Sequence, residues 1–446
     1  MVLTLLLAGA AFLALPFAAR RLETAGEAIG DLFGRRAGSP GQAILLGALL
    51  LRLPLLPLPL TLSEDVLRYL WDGKVAAAGY NPYALPPQAV ELTALRDEIW
   101  RQLPHRDVPT VYPPLAVAAF SISSRLPFPI LAWKILASGG DLLAVGLLLA
   151  IARRAGIPEA RVVWYAWNPL AALEVAGMGH VDALGVAAAL GAVLLLLRRR
   201  GENSPDGPAE GRPPRSAAAV VAGAAACAAA GALVKLAPAA AIPMWSRQSG
   251  RAPLLLAAAA LLLATAFLPV LLATGGPPPG LLTWSLRWEF NGPLFEPLWR
   301  LLDSVHLAPA LAARLDAYKL AHHEYYRLNW IYPYLYPQLL AKMVLALGSA
   351  AAIAASLFER DPIAGSGRLF ARLLLLSATI YPWYVLWVLP WAALARHRAW
   401  LALSALLLLA YIPRGTSIPL LPWVFLAIWG PFVVLRLLSR RPWSIA

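Results

Sequence analysis

Several uninterrupted apolar runs in this chain are long enough to cross a hydrocarbon core of roughly 30 Å as helices, and that feature leaves few folds open. None of these runs alternates polar with apolar residues in the manner of an outer-membrane barrel strand. The sequence therefore predicts an all-α fold, a polytopic transmembrane helical bundle. Composition agrees, since 60% of the 446 residues are hydrophobic and only 14% are charged, outside the range of ordinary soluble domains.

A formal net charge of +14 raises the question of nucleic acid. The basic residues are instead scattered through short segments between apolar runs, where they serve as topology signals, and no nucleic-acid partner is expected. The single cysteine, Cys227, lies in an Ala-rich run and excludes a disulfide within the chain. Residues 1–19 lack a positive leading region and run straight into Arg20 and Arg21, so an uncleaved span is expected rather than a signal peptide.

Arginine clusters at Arg20 to Arg36, Arg153 to Arg161, Arg198 to Arg215, Arg247 to Arg251, Arg360 to Arg372, Arg396 to Arg398 and Arg436 to Arg441 mark the cytoplasmic connections. Placing all of them inside gives about 11 to 13 spans, with the N-terminus outside and residues 113–126 at the interface. Two long polar connections then face outward, residues 62–112 and 275–334. Between them they carry half of the acidic residues, which points to function rather than mere connection. Residues 198–215, rich in Pro, Gly and charge, read as a disordered cytoplasmic linker.

The first outer connection opens with "SEDVLRYLWDGKVAAAGYNPY", residues 63–83. Ser63 is a suitable N-cap, Glu64 and Asp65 fall in the first turn, and Gly73 stands near the end of a helix. Asp65, Arg68, Tyr69 and Asp72 then share one face, with Val66, Leu67, Leu70 and Trp71 opposite, as in a helix lying at a membrane surface. The plain alternative is that the acids only cap the helix and that Arg68 and Asp72 form a surface pair.

Asn81, Tyr83 and Tyr112 add polar and aromatic groups to the same region. Deeper in the sequence, "WYAWNPLAALEVAGMGHVDAL" brings Asn168, Glu174, His180 and Asp182 into a stretch that would otherwise be membrane core. Ionisable groups there are costly and face a cavity or a partner. Glu174 with Lys235 of "GALVKLAP" is an expected pair, and His180 and Asp182 could instead end a helix at the interface. In the second connection Arg287, Glu289 and Asn291 surround Trp288 and Phe290, a composition that suits a sugar ring and equally an interfacial aromatic belt. "YPWYVLWVLPW" joins two short apolar runs, its prolines suggest a break near the outer surface, and its rings read as an interfacial aromatic belt. His322 and His323 lack the spacing of a zinc-protease helix, and phosphate-loop and serine-hydrolase motifs are absent from the sequence.

Taken in order, "SEDVLRYLWDGKVAAAGYNPY", "VYPPLA", "WNPLAALEVAGMGHVDAL", "LVKLAP", "RWEFNGPLF" and "YPWYVLWVLP" resemble the bacterial polyprenyl-phosphate-mannose-dependent mannosyltransferases of the GT-C superfamily. The resemblance runs from about residue 60 to about residue 395. It departs from the family pattern at Val181, where asparagine is common, and at Lys74, where arginine is. It implies a multi-helix enzyme of the inner membrane whose first outer loop holds an acidic pair, here Glu64 and Asp65. It further implies a polyprenyl-phosphate sugar donor and a glycan or glycolipid acceptor.

By the same resemblance Asp65 is the general base for an inverting attack on the anomeric carbon, with Glu64 as its substitute. Arg68, Lys235 and Arg287 are the cations expected to offset charge on the leaving phosphate. Chemistry with or without a divalent cation fits such a pair, and no residue is assigned to a metal. A transporter or flippase for a lipid-linked sugar is the rival reading. Transporters commonly break their helices at the midplane in paired repeats, whereas this chain gathers its polar clusters in two outer loops, which favours the enzyme. A non-catalytic scaffold would leave Glu64 and Asp65 free to vary.

Overall fold

The computed structural model describes residues 39–202, 217–439 and 443. The expected span at residues 1–19 lies outside them, as does most of the 198–215 linker. The first residues of that linker are helical: the helix that opens at Asp182 runs on to Glu202, and basic residues suit a helix C-terminus.

The structure is 75% helical and has no strand among the described residues. Helices α1 (Pro40–Arg52), α2 (Asp65–Ala77) and α3 (Pro114–Ser124) precede the long α4 (Pro129–Arg154), α5 (Asp182–Glu202), α6 (Ala217–Val234) and α7 (Ala252–Thr274). Helices α8 (Pro279–Arg287), α9 (Phe295–Ser304) and α10 (Leu307–Ala321) lead to α11 (Pro337–Ser356), α12 (Pro362–Leu375), α13 (Arg398–Leu406) and α14 (Phe425–Leu438).

By length and composition α4, α6, α7, α11 and the stretch Leu420–Leu438 can each cross a membrane. A sixth crossing arises if Pro169–Gly177 and Asp182–Arg199, bent by 119°, form one broken span. This falls short of the expected 11 to 13 among the described residues. The physical reason is interruption: prolines remove amide donors and divide apolar sequence into helices too short to cross alone, as along Pro362–Leu375, Pro382–Trp387 and Leu389–Leu394. Helix α3, with 11 residues, is likewise too short to cross unaided.

Helix α4 packs on α5, and α5 on α6, around the main apolar core. Within that core sits a buried ion pair that no sequence pattern announced. Arg52 Nε lies 2.5 Å from Asp141 Oδ2, the Tyr165 hydroxyl donates to Asp141 Oδ1 at 2.5 Å, and Arg52 also donates to the Ala48 and Ala166 carbonyls. It ties α1 to α4 and to the segment entering the broken span.

Helix α2 differs from expectation in three ways. It begins at Asp65, with Glu64 at the cap position and the Ser63 hydroxyl accepting only from the Asp65 amide at 3.3 Å. It continues past Gly73, whose missing side chain lets the Phe120 backbone of α3 press directly against it. It also has no solvated face of the expected kind, since Tyr69 and Asp72 are buried along with Val66, Leu67, Leu70 and Trp71. The chain after α2 folds back over it: Trp71 packs with Leu92 and Leu103, while Arg68 donates to the His105 and Val108 carbonyls.

Candidate functional site

Where α2 begins, the chain borders a cavity of about 370 Å³. Its wall carries three carboxylates, Glu64, Asp65 and Asp182, and three cations, Arg68, Lys235 and Arg414. Tyr112, Tyr381, Trp383, Tyr384 and Trp387 line it with aromatic surface, and Trp284 and Trp288 of the second long connection complete it. The first connection, the broken span, α6 and the 381–387 segment therefore converge on one chamber.

Asp65 is the hinge of the arrangement, since its side chain is 34% exposed while the groups behind it are sealed. His180 Nδ1 lies 3.6 Å from Asp65 Oδ2, and His180 Nε2 lies 3.2 Å from Glu174 Oε2. The Tyr411 hydroxyl donates to Glu174 Oε1 at 2.7 Å, and the Tyr69 hydroxyl donates to Asp65 Oδ2 at 3.4 Å. His180 also stacks on Trp383 at 3.7 Å between centroids, the inner end of a ring series that continues through Tyr381 to Phe290.

Glu174 does not pair with Lys235, as the sequence reading expected. A π-helical turn at Leu173–Gly177 and Gly179 at φ 73° reverse the chain, so that the His180 amide bonds the Glu174 carbonyl at 2.9 Å and the ring swings over the glutamate. Asp182 then opens α5, facing Lys235 at 3.4 Å. Nor do His180 and Asp182 end a helix at an interface, since both are fully buried.

Arg68 lines the cavity but is engaged by Asp72 at 2.8 Å and by two backbone carbonyls, so it braces the loop that forms one wall. Its partner is no surface pair: burial pushes the Asp72 carboxyl above the ordinary carboxylate range even though Arg68 opposes that shift. Tyr83 donates to the Tyr112 carbonyl at 3.0 Å, and burial, with the nearby Asp72 charge, holds its phenol above the usual range. Asn81 caps that turn by accepting from the Tyr83 amide.

Asn168 lies outside the cavity wall and caps Pro169–Ala172, accepting from the Leu170 and Ala171 amides and donating to Ser404. Glu289 pairs with Lys342 at 2.9 Å, and Asn291 is buried with its Oδ1 accepting from Trp429. Arg287 is exposed and does not border the cavity. Among the described residues no group of three or more His, Cys, Asp or Glu is arranged to hold a metal ion.

Sequence reading missed Arg414. It donates to the Leu62 carbonyl at 2.5 Å and stands 3.8 Å from Glu64 Oε1, joining the far end of the chain to the start of α2. The signal was a lone cation in the Pro-flanked "YIPRGTSIP". Tyr411 and the Trp383 stack were missed as well, concealed among many other aromatic residues.

Fold and cavity together define a helical integral membrane protein with a charged, aromatic-walled chamber. Residues 1–247 match the model of the alpha-(1->6)-mannopyranosyltransferase N-terminal domain family. That match spans more than half of the chain, which belongs to this family and is a mannose-transferring glycosyltransferase. No curated protein and no solved structure matches it.

Proposed function

We propose that this GT-C type enzyme moves mannose from a polyprenyl monophosphate donor to a hydroxyl of a glycan or glycolipid acceptor, with inversion, on the extracytoplasmic side of the inner membrane. Asp65 removes the acceptor proton while the acceptor oxygen bonds the anomeric carbon. The bond from that carbon to the phosphate oxygen breaks, and its electron pair leaves with the lipid phosphate. Lys235 and Arg414 offset the developing charge, a contribution that a site shielded from bulk water strengthens. Glu64, held near Arg414, helps to orient that cation.

The observation that carries the reading is the partly exposed Asp65 carboxylate opening on the same cavity wall as Lys235 and Arg414. The aromatic lining supplies apolar surface for a sugar ring and for the first units of a prenyl chain.

The bent element between Gly177 and Asp182 is of the kind that transporters also use, so the test must detect a bond rather than movement. Purified protein is supplied with synthetic polyprenyl phosphate bearing labelled mannose and with octyl mannoside as acceptor. A labelled disaccharide product supports the reading. Lipid crossing the bilayer with no glycosidic bond formed supports a flippase instead.

A further inference from the structure

Behind Asp65 lies a histidine that the reaction as written does not use. His180 is fully buried, neither ring nitrogen has a hydrogen bond, and Glu174 Oε2 is also buried without one. Both ring nitrogens nonetheless stand within ion-pair distance of a carboxylate, Asp65 on one side and Glu174 on the other. Trp383 stacked on the ring at an interplanar angle of 15° fixes the imidazole plane, and Tyr411 occupies Glu174 Oε1, leaving Oε2 to the histidine. Buried groups left unpaired cost free energy, and such a cluster calls for a reason beyond packing.

We infer that His180 and Glu174 form a proton relay behind Asp65, with His180 as a positioning residue that acts only through that carboxylate; the inference rests on the reading of Asp65 as the base. Asp65 stands in the first turn of α2, where the open cavity meets the buried His180 and Glu174. In the relay the ring carries its proton on Nε2, beside Glu174, and offers Nδ1, 3.6 Å from Asp65, as the acceptor.

The proton that Asp65 takes from the acceptor hydroxyl passes to Nδ1. Asp65 returns to its carboxylate form, and Glu174 balances the imidazolium, the same division of labour that a buried aspartate performs for histidine in serine hydrolases. After product leaves, the proton returns through Asp65 to water in the cavity. No external oxidant or second substrate enters this balance. Of the charged groups nearby, Arg414 lies toward Glu64, and Lys235 is paired with Asp182, so neither occupies the gap between the two carboxylates.

The experiment compares full-length wild type, Asp65→Asn, His180→Gln, Glu174→Gln and the double variant His180→Gln/Glu174→Gln in lipid nanodiscs. It uses the labelled polyprenyl phosphate mannose and octyl mannoside described above. The relay predicts a loss in kcat of about 10²-fold for His180→Gln, the low end of general-base effects, with KM for both substrates within roughly twofold. Because the two groups act as one unit, the double variant is no slower than His180→Gln alone.

Full turnover in His180→Gln, losses that multiply in the double variant, or a loss confined to KM each overturns the relay. Should His180→Gln not yield folded protein, the same split between kcat and KM measured on Glu174→Gln decides the question. An inactive Asp65→Asn beside a fully active His180→Gln defeats the relay alone. Full activity in Asp65→Asn defeats the assignment of the base on which the relay depends.

Discussion

Lys235 and Asp182 meet at 3.4 Å on the cavity wall, and Asp182 is held from its other oxygen by the Trp387 indole at 2.7 Å. The rings of Tyr384 and Tyr112 flank the ammonium at 5.2 and 5.9 Å. Four groups thus keep one flexible side chain aimed into the chamber. If Lys235 offsets charge on the departing phosphate, Lys235→Met lowers kcat about 10²- to 10³-fold, the range seen when one preorganised donor is removed. Steady-state assays with the synthetic donor check this, and an effect on acceptor KM alone would contradict it.

Asp65→Asn keeps the shape of the side chain and removes its capacity to take a proton. Transfer should fall by about 10² to 10⁴ while thermal unfolding in detergent stays close to wild type. Glu64→Gln should be milder, since Glu64 is 47% exposed and faces Arg414 rather than His180. A dead Glu64→Gln with a healthy Asp65→Asn would exchange the roles of the two acids.

The Arg52 and Asp141 pair is a structural lock away from the chamber. Breaking it from one side strands a charge at a site with essentially no exposure. Arg52→Met alone should therefore cost about 3 to 5 kcal/mol, whereas the double replacement Arg52→Met/Asp141→Leu should recover much of that loss. Unfolding midpoints of the three proteins decide the matter.

Gly73→Ala tests the close approach of α2 and α3. An added Cβ would collide with the backbone of Phe120, which has no free end to move aside. A destabilisation of about 1 to 3 kcal/mol is expected from such overpacking, again read by thermal unfolding.

Asp97 supplies a pH-dependent prediction outside the spans. Burial alone would raise its carboxyl, but the bonds from Lys74 and from the Trp100 and Ile99 amides prevail and hold it below its ordinary value of 3.8. A depressed acid stabilises the fold above its unfolded value, and that contribution is lost as pH falls through the folded one. Pepsin should accordingly begin to cut residues 85–103 in wild type only as the pH drops below about 3.8, whereas Asp97→Asn should be cut with no such pH step.

The acidic start of α2 was legible because charge in so apolar a sequence stands out against its surroundings. So were Lys235 and the "GHVD" segment, for which burial without a partner would be prohibitive. Their partners were not legible. One left-handed glycine at position 179 decides that His180, and not Lys235, meets Glu174, and a local backbone angle leaves little trace in residue spacing. Arg414 was hidden for a different reason: it reaches Leu62 and Glu64 only because the chain returns from far along its length. The all-helical class was readable from apolar run length, but the division of those runs by proline was underestimated.

The kink between residues 177 and 182 gives one joint two duties. The same few peptide units that hold Glu174 and His180 behind the chamber also set the direction in which α5 leaves it. The backbone there cannot change course to retune the chemistry without also redirecting the helix, so variation in substrate preference has more room in the aromatic walls than at this joint.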